Sequence, residues 1–382
     1  MPARVRIGSL FGIQIRIDWS WLLALVLIGT TLAFQFASEL PAKNAPPGHV
    51  VVTPKHVLMG LAVAVFLFVS VLMHEFCHAL VARSRGVPIH GITLFLFGGV
   101  TEMTQEPATA KQELLLAAAG PAMSAVLAAA FYVASVLVRG GGGSPVAVYL
   151  LRYMGYLNAL LLAFNLVPGF PLDGGRILRA IIWQSTGNLK RATYVTTRIG
   201  LVLAYGLIVT GIIQAVLYHN LIPGLWMAFI GFFLKEAAES GYQQVLLKRA
   251  LSGLQVQQAM RAPVVTVPSN LPLSDLVDQY FLQHRFKSFP VEDQGRLVGL
   301  VSLEDVKAVP RDRWPLVAVV QVMRTDILQH CLRPDQEVGA ALAAMVQHGL
   351  GRIPVCIHGQ TVGMLTRRDI MELFRIRTDL GD

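Results

Sequence analysis

Six uncharged, apolar runs constrain the fold of this chain more than any other feature of its sequence. Crossing a hydrocarbon core of about 30 Å takes roughly 20 apolar residues in a helix, and five of the runs approach or exceed that length. The sixth run is short, so its helix must continue past Lys235 and Glu236 to span the core. We therefore predict a polytopic α-helical membrane domain over residues 1–245, with about six transmembrane helices. The runs cover residues 19–37, 57–73, 114–138, 153–172 (with an apolar lead-in from 145), 199–218 and 221–234.

The distribution of charged residues predicts how these helices are oriented. Residues 1–245 contain 16 Lys and Arg against 9 Asp and Glu, whereas residues 246–382 contain 16 against 14. In the first part the basic residues concentrate in the second and fourth connections between runs, and connections rich in Lys and Arg face the cytoplasm. We expect an integral protein of a prokaryotic plasma membrane, in contact with its lipid, whose N-terminus and C-terminal domain are cytoplasmic. Nucleic-acid binding needs a basic face interleaved with aromatic residues, which this distribution does not offer, so no nucleic-acid partner is predicted.

Two short segments beside the runs have strand character. Residues 12–18 alternate in polarity, which is typical of a strand at the membrane surface. Residues 89–100 are apolar, bounded by glycine and too short for another crossing, so they form either a strand in a protein-lined dip of the membrane or a re-entrant loop. If residues 92–97 present an exposed strand edge, that edge can pair with an unwound substrate peptide through main-chain hydrogen bonds.

A duplicated unit follows the membrane domain. The motifs AMR at 259, FPV at 289 and GLVSLED at 299 recur as VMR at 322, IPV at 353 and GMLTRRD at 363. Their offsets are 63, 64 and 64 residues, and an offset shared by three motifs indicates duplication of one unit. We predict an α+β domain over residues 246–382, with repeats at about 252–310 and 316–376 and amphipathic helices at 273–284 and 338–348.

The chain contains three cysteines, Cys77, Cys331 and Cys356. They are too few and too widely spaced for a disulfide framework. We predict that all three are reduced.

The second apolar run ends in the motif His74-Glu75-Phe76-Cys77-His78. Histidines at i and i+4 lie on one face of a helix, where both imidazoles can bind one metal ion, and the intervening glutamate can act as general base toward a water that the metal activates. The apolar helix continues to Arg83, nine residues on, which places His74 roughly 13 Å from the first cytoplasmic charge. A carboxylate at that depth is costly unless it faces a polar cavity or partner. This disfavours a helix end that reaches the headgroups and leaves, as the other alternative, polar residues satisfied by packed neighbours.

Two histidines do not complete a zinc site, and Asp173 is the candidate third ligand. It follows Pro168 and Pro171, which must break the fourth helix. That helix enters from the outer side, so its broken end returns to the depth of His74. The alternative is that Asp173 caps a helix beginning at Gly174, a role that is compatible with ligation.

These residues resemble the site-2 protease family of intramembrane zinc metalloproteases, in the branch that carries a C-terminal pair of cystathionine-β-synthase (CBS) domains. The family's His-Glu-x-x-His occurs at 74–78, and its Asn-x-x-Pro-x-x-Pro-Leu-Asp-Gly-Gly occurs without substitution at 165–175. The resemblance spans the whole chain and implies one Zn²⁺ held by His74, His78 and Asp173, with Glu75 as general base and Asn165 helping to position the substrate. A weaker pattern, Gly-x-x-x-Ser at 120–124, indicates either close helix packing or a direct catalytic role.

The doubled Gly-x-x-Ser/Thr-x-x-Asp pattern of the tail resembles the adenosine-binding edge of CBS domains. The resemblance implies that Asp305 and Asp369 contact ribose, and that Ser302 and Thr366 contact a phosphate of ATP, ADP or AMP. The alternative is a purely structural pair in which the two hydroxyls cap helices. A homodimer formed through the CBS pair is a further expectation.

We predict an intramembrane zinc metalloendopeptidase that hydrolyses a peptide bond in or near the transmembrane segment of a single-span membrane protein, under control of an adenine nucleotide. A rival prediction is a CBS-gated transporter or metal-handling protein without hydrolytic activity. That rival gives no reason for Glu75 between the histidines, and several acidic residues along a path would have favoured it. A catalytically inactive scaffold is disfavoured because no ligand position is substituted.

Overall fold

A computed structural model describes residues 5–41, 46, 49–103 and 107–380 of the chain. The chain divides into two compact units, Met1–Tyr242 and Gln243–Asp382, which we call the membrane unit and the C-terminal unit. The elements that begin in the membrane unit are, in chain order, β1 (Val5–Leu10), β2 (Ile13–Ile17), α1 (Trp19–Glu39), α2 (Pro54–Ser84), β3 (Ile89–Phe95), β4 (Gly98–Met103), α3 (Ala110–Gly140), α4 (Pro145–Asn165), α5 (Asp173–Thr186), α6 (Leu189–Val216) and α7 (Leu221–Leu251).

Six of these helices, α1, α2, α3, α4, α6 and α7, are long and apolar enough to cross a membrane, which confirms the predicted polytopic helical fold. Helix α7 continues through Lys235 and Glu236, as its length required. Helix α4 differs from the fourth predicted run, because it uses the apolar lead-in and stops at Asn165 rather than at 172. The two prolines at 168 and 171 explain the early stop, since proline lacks the amide hydrogen that a helix interior needs.

Small residues let the first two helices approach closely. Gly29 and Gly60 face each other, and a Cβ added to Gly60 would lie 2.3 Å from the Gly29 carbonyl oxygen. Nearby, the ring of Phe36 packs edge-on against Tyr149 and Tyr153 of α4. Close backbone approach at small residues is the usual way in which membrane helices gain packing energy, since lipid tails supply no hydrophobic drive between them.

The strands of the membrane unit form one sheet in the order β1-β2-β3-β4. Strand β2 pairs antiparallel with β1 and parallel with β3, and β3 forms an antiparallel hairpin with β4. The strand predicted within residues 12–18 is present at residues 13–17. For residues 89–100, the strand prediction is correct and the re-entrant loop is not, because strands cover residues 89–95 and 98–103.

The hypothesis that residues 92–97 offer a free edge is wrong. Leu94 pairs with Ile17 on one side and with Gly99 on the other, so β3 lies inside the sheet. Alternating polarity could not show this, because the parallel pairing of β2 with β3 joins segments that are more than 70 residues apart in the chain. The outer strands are β1 and β4.

The C-terminal unit is an α+β pair of repeats. Two buried apolar cores occur in it, one containing Phe289 and Val301 and the other containing Ile353 and Leu365. Its strands form two sheets, β5-β6-β7 and β8-β9. The elements are α8 (Val256–Ala259), β5 (Val267–Pro268), α9 (Leu273–Asp275), a wide π-type turn (Leu276–Phe281), α10 (Leu282–His284), β6 (Ser288–Asp293), β7 (Arg296–Ser302), α11 (Leu303–Lys307), 3-10 turns at Arg311–Arg313, Val319–Gln321 and Asp326–His330, α12 (Val338–Gln347), β8 (Arg352–Ile357), β9 (Gln360–Thr366) and α13 (Arg367–Leu380).

The duplicated motifs pair across the two repeats. The backbone of Arg261 exchanges hydrogen bonds with Met364, and the backbone of Arg324 exchanges them with Leu300. The preceding methionines, Met260 and Met323, pack on glycines of the opposite repeat. The motifs therefore recur because each repeat supplies the same contact to the other.

The prediction that all cysteines are reduced is wrong for two of the three. Cys331 and Cys356 form a disulfide, with their Cα atoms 6.1 Å apart, whereas Cys77 is free. The two cysteines meet because Leu332 forms a bridge with Val355 beside them, which their separation of 25 residues did not indicate.

Candidate metal centre and active site

Three buried side chains from two helices meet at one point in the membrane unit. His74 and His78 lie one turn apart on α2, so both imidazoles project from the same face. Asp173 is the first residue of α5, and the N-cap position belongs to Leu172, so Asp173 does not cap this helix. Both histidines are 4% exposed and Asp173 is 8% exposed. Among the residues that the structure describes, this is the group of His, Cys, Asp and Glu side chains whose ligand atoms converge.

The three ligand atoms have the spacing of a zinc site. Oδ2 of Asp173 lies 3.0 Å from Nε2 of His74 and 3.1 Å from Nε2 of His78, and the two Nε2 atoms are 3.2 Å apart. Ligands held at 2.0–2.1 Å around a tetrahedral ion are separated by about 3.3 Å. Two neutral nitrogens and one carboxylate also form a donor set typical of catalytic zinc, which keeps its fourth position for water or substrate.

Helix α3 orients both histidines. The carbonyl oxygen of Leu116 accepts a hydrogen bond from Nδ1 of His78 at 2.7 Å, which leaves Nε2 of that ring with its lone pair. Nδ1 of His74 lies 2.9 Å from Oγ of Ser124. A Cβ added to Gly120 would lie 2.2 Å from Nε2 of His78 and 2.4 Å from Nε2 of His74, so only glycine fits between them. In the Gly-x-x-x-Ser pattern, Gly120 thus lets α3 approach the two histidines closely, and Ser124 orients His74.

A buried ion pair ties α5 to the same helix. Nε of Arg179 donates to Oε1 of Glu113 at 2.7 Å, and Nη2 of Arg179 contacts the same oxygen. Glu113 is 1% exposed and Arg179 is 5% exposed. Glu113 was not among the predicted site residues. It directly precedes the third apolar run and lies seven residues before Gly120, about two helical turns, and this spacing was the available signal.

The loop before Asp173 is held from two sides. The guanidinium of Arg179 lies over the ring of Phe170, 5.4 Å from its centroid. The backbone N–H of Phe170 donates to the carbonyl oxygen of Thr196 on α6 at 3.1 Å. Gly169 approaches Gly200 of α6 so closely that a Cβ on Gly169 would lie 2.9 Å from the Gly200 Cα. These contacts fix the backbone that presents Asp173.

The remaining predicted residues of this site are not part of the convergent ligand cluster. Glu75 is on α2 and turns its carboxylate toward β4, where Thr101 is its hydrogen-bond partner. Asn165 is the last residue of α4, and its Nδ2 donates to the carbonyl oxygen of Leu161 in its own helix at 3.0 Å. A role for Asn165 in substrate positioning stays a prediction.

The predicted ligand residues of the tail form helix caps. Ser302 Oγ donates to Oδ2 of Asp305 at 2.5 Å, and Thr366 Oγ1 donates to Oδ2 of Asp369 at 2.5 Å. Each carboxylate also accepts from the backbone N–H of its own Ser or Thr. The two hydroxyls therefore take part in helix caps, as the second of the two predictions for the tail has it. Each cap uses only Oδ2 of its aspartate, so Oδ1 can accept from another partner.

Two cavities of about 470 and 360 Å³ lie in the C-terminal unit. Both fall in the size range of small-molecule sites, and Lys287 and Arg352 line both of them. Burial lowers the pKa of the Arg352 guanidinium, which nevertheless keeps its charge because arginine does not deprotonate in proteins. The larger cavity joins apolar and basic side chains, namely Val264, Val265, Phe286, Arg261, His284, Arg285, Lys287, Arg352 and Arg368.

We expect Arg179→Met to weaken zinc binding by about 10- to 100-fold, the range typical when a partner of a ligand-bearing element is lost. The change removes the ion pair that links α5 to α3 and leaves the Glu113 carboxylate buried without its main cation. Arg176→Met is the matched control, because Nε of Arg176 is 4.0 Å from Glu113 Oε1 and its loss should change zinc affinity little. Competition with a chelating dye measures the affinity, and thermal unfolding shows whether each variant is folded. A folded Arg179→Met protein with the affinity of the wild type would refute this assignment.

Comparison with known proteins agrees with this geometry. Peptidase family M50 matches residues 62–144 and 143–207, and the CBS domain matches residues 256–312 and 319–376. A protein of Mycobacterium tuberculosis named "Putative zinc metalloprotease Rip3" is 33% identical over 380 residues, which cover 98% of this chain and 94% of that protein. "Putative zinc metalloprotease sll0528" of Synechocystis sp. is 29% identical over 382 residues, which cover 97% of this chain and 96% of that protein. The solved site-2 protease from Methanocaldococcus jannaschii is 28% identical, with 62% of this chain and 94% of that chain covered at a TM-score of 0.43.

The M50 match runs from α2 into α6 and so includes His74, Glu75, His78 and Asp173. The resemblance to the mycobacterial protein extends through both units, including the CBS pair. The chain therefore belongs to peptidase family M50, the site-2 protease type of integral membrane zinc metalloprotease, with a C-terminal CBS domain pair.

Proposed function

We propose that this metalloprotease hydrolyses a peptide bond in or near the transmembrane segment of a single-span membrane protein. The observation that supports the proposal is the depth of the site: two ligands and the general base lie in α2, a helix long and apolar enough to cross the membrane. Such a site is reached most directly by a peptide that is itself in the membrane. Because helical peptide bonds are sheltered by their own hydrogen bonds, the substrate has to unwind locally before cleavage.

We assign zinc binding to His74, His78 and Asp173 and proton transfer to Glu75. A zinc ion held by these residues would act as a Lewis acid, which polarises the peptide carbonyl and lowers the pKa of a water molecule. Glu75 accepts the proton of the attacking water and returns it to the departing amide nitrogen. Leu116 and Ser124 keep the two imidazoles in the orientation that directs Nε2 into the site.

The rival function, a transporter or metal-handling protein without hydrolysis, has less support. A transport path needs a series of polar groups across the membrane. In the described part of the membrane unit, the convergent ligand atoms belong to one compact cluster. The names of the mycobacterial and cyanobacterial relatives contain the word metalloprotease, which favours hydrolysis over transport.

We expect Glu75→Gln to bind zinc normally and to lose proteolysis, because the amide cannot accept the proton. Asp173→Asn should instead lower the zinc content, since a neutral amide oxygen is a poorer ligand. Elemental analysis of the purified variants and cleavage of a single-span test substrate separate the two roles. Cleavage by Glu75→Gln at the wild-type rate would contradict the role of Glu75 as general base. An unchanged zinc content in Asp173→Asn would exclude Asp173 from the zinc ligands.

The unwound substrate is proposed to pair with β4. This strand is at one end of the sheet, so one of its edges has no neighbouring strand in the described residues. Its residues Gly99 and Thr101 contact Glu75, which places the same strand beside the general base. Main-chain pairing gives affinity with little dependence on side chains, so broad substrate selectivity follows.

Cysteine cross-linking tests this pairing in the inactive Glu75→Gln background, which retains substrate. We expect Val100→Cys on β4 to cross-link to a cysteine in the unwound segment of the substrate. Ile7→Cys on β1, the other outer strand, is the matched control because both side chains are exposed. The parent protein without an added cysteine gives the background from Cys77. Equal cross-linking from the two strands would argue against β4 as the docking edge.

A prokaryotic plasma membrane with the C-terminal unit in the cytoplasm remains our proposal for localisation. The excess of Lys and Arg in the second and fourth connections supports it. The disulfide between Cys331 and Cys356 is more typical of oxidising compartments. Two neighbouring thiols form or lose a disulfide according to the redox potential of their compartment. We therefore give greater weight to the Lys and Arg residues of the connections.

The C-terminal unit is proposed to bind an adenine nucleotide at the half-site of Ser302 and Asp305. Asp369 is already paired, since its Oδ1 accepts from Nε of Arg261 at 2.6 Å, whereas no cation in the described chain pairs with Asp305. Asp305 lines the smaller cavity together with Glu304 and four basic residues, Lys287, Lys307, Arg324 and Arg352. A carboxylate for ribose hydroxyls beside four cations for phosphates fits a nucleotide with several negative charges.

We expect calorimetry on the full-length protein in detergent to detect ATP and ADP more readily than AMP. Asp305→Ala should weaken binding by about 10- to 100-fold, the value of a hydrogen bond to a charged group. Asp369→Ala is the matched variant and should weaken it less, because Arg261 already occupies that carboxylate. The reverse order would assign the nucleotide to the other half-site. No heat with any of the three nucleotides, and cleavage indifferent to all of them, would reduce the pair to a structural module.

A further inference from the structure

Among the residues that the structure describes, the hydroxyl of Thr101 makes the closest polar contact to the Glu75 carboxylate. Oγ1 of Thr101 donates to Oε2 of Glu75 at 2.8 Å, and it lies 3.2 Å from the backbone oxygen of the same residue. A hydroxyl has one proton, and the carboxylate is both the nearer and the more strongly charged acceptor. The hydrogen bond therefore fixes one carboxylate oxygen of Glu75.

The strand that carries Thr101 also confines the rest of the Glu75 side chain. Gly99 and Thr101 are two residues apart and share one face of β4. A Cβ on Gly99 would lie 2.4 Å from Cγ of Glu75, so the strand backbone itself borders that side chain. With its methylene against Gly99 and one oxygen held by Thr101, Glu75 has few rotamers left.

The sheet in turn fixes Thr101. Thr101 pairs with Ile92 of β3, a residue that is fully buried, and β3 is held from its other side by β2. The position of the hydroxyl is therefore set by the sheet and not by α2, the helix that carries Glu75. The base and its partner come from two separate elements.

We propose that Thr101 is a positioning residue for catalysis, which holds the Glu75 carboxylate in the orientation needed for proton transfer. The inference rests on the proposed role of Glu75 as general base. A correctly placed base contributes about 10²- to 10⁴-fold to the rate, so loss of its orientation forfeits part of that factor. Substrate binding and zinc binding do not use the hydroxyl and keep their strength.

The test compares Thr101→Val, which removes the hydroxyl at nearly constant volume, with Thr101→Ser, which retains it. We expect Thr101→Val to lower kcat by about 10- to 100-fold, a part of the general-base factor, with KM and zinc content unchanged. Thr101→Ser should recover most of the rate. Thr93→Val is the matched control, because Thr93 lies on the neighbouring strand and donates to Glu102 rather than to Glu75, and its kcat should stay at the wild-type value.

A second measurement does not depend on turnover. A hydroxamate that chelates zinc places its hydroxyl beside the general base, so its Kd should rise in Thr101→Val and stay unchanged in Thr93→Val. Thr101→Val with the wild-type kcat and the wild-type hydroxamate affinity would overturn the inference, as would equal losses in Thr101→Val and Thr101→Ser. Failure of the proposed function looks different, because the wild type itself would then not cleave, and the hydroxamate measurement would still test the Thr101 contact.

Discussion

Burying ionisable groups among apolar helices is costly, and the metal centre of this protein depends on how that cost is offset. Helix α3 supplies most of the groups that offset this cost. Within three turns it supplies a carboxylate for Arg179, a carbonyl for His78, a glycine that leaves room for both imidazoles and a hydroxyl for His74. The carboxylate, the carbonyl and the hydroxyl each satisfy a polar atom that comes from α2 or α5, and the glycine gives the two imidazoles space. The two ligand-bearing helices can therefore meet inside the membrane unit only because a third helix presents complementary groups at the right spacing.

The sheet obeys the same constraint through its backbone. Backbone N–H and C=O groups need partners wherever water is excluded. Strand β3 has a neighbouring strand on each side, whereas β1 and β4 each have one edge without a neighbouring strand in the described residues. At β4 this incomplete pairing coincides with the contacts to Glu75. An outer strand edge is where a further extended segment can pair through main-chain hydrogen bonds. One of the two outer strands of the sheet thus lies beside the residue assigned to chemistry.

Local patterns predicted much of this arrangement. The apolar runs fixed the six spans, and the i, i+4 histidines with the proline-broken helix before Asp173 led to the ligand cluster, because each signal is contained in one short segment. Apart from the early end of α4, the failures are pairings between distant segments. Glu113 meets a residue 66 positions away, Thr101 meets one 26 positions away, and the bridge beside Cys331 and the parallel pairing of β2 with β3 join segments whose sequences carry no mark of each other. A hydroxyl on a strand or a glutamate at the end of an apolar run has many possible partners, and only the tertiary structure selects one.

Long-range contacts also tie the β3–β4 hairpin to α7. The turn between β3 and β4 carries Phe97, whose ring stacks on Phe233 of α7 at a centroid distance of 3.9 Å and also contacts Phe229. Helix α7 runs without a break from Leu221 to Leu251, so it begins in the membrane unit and ends in the C-terminal unit. Within the membrane unit the aromatic stack couples α7 to the β3–β4 hairpin, and Thr101 of that hairpin holds the Glu75 carboxylate. The packing of α7 and the position of the residue assigned to proton transfer are therefore linked through one hairpin.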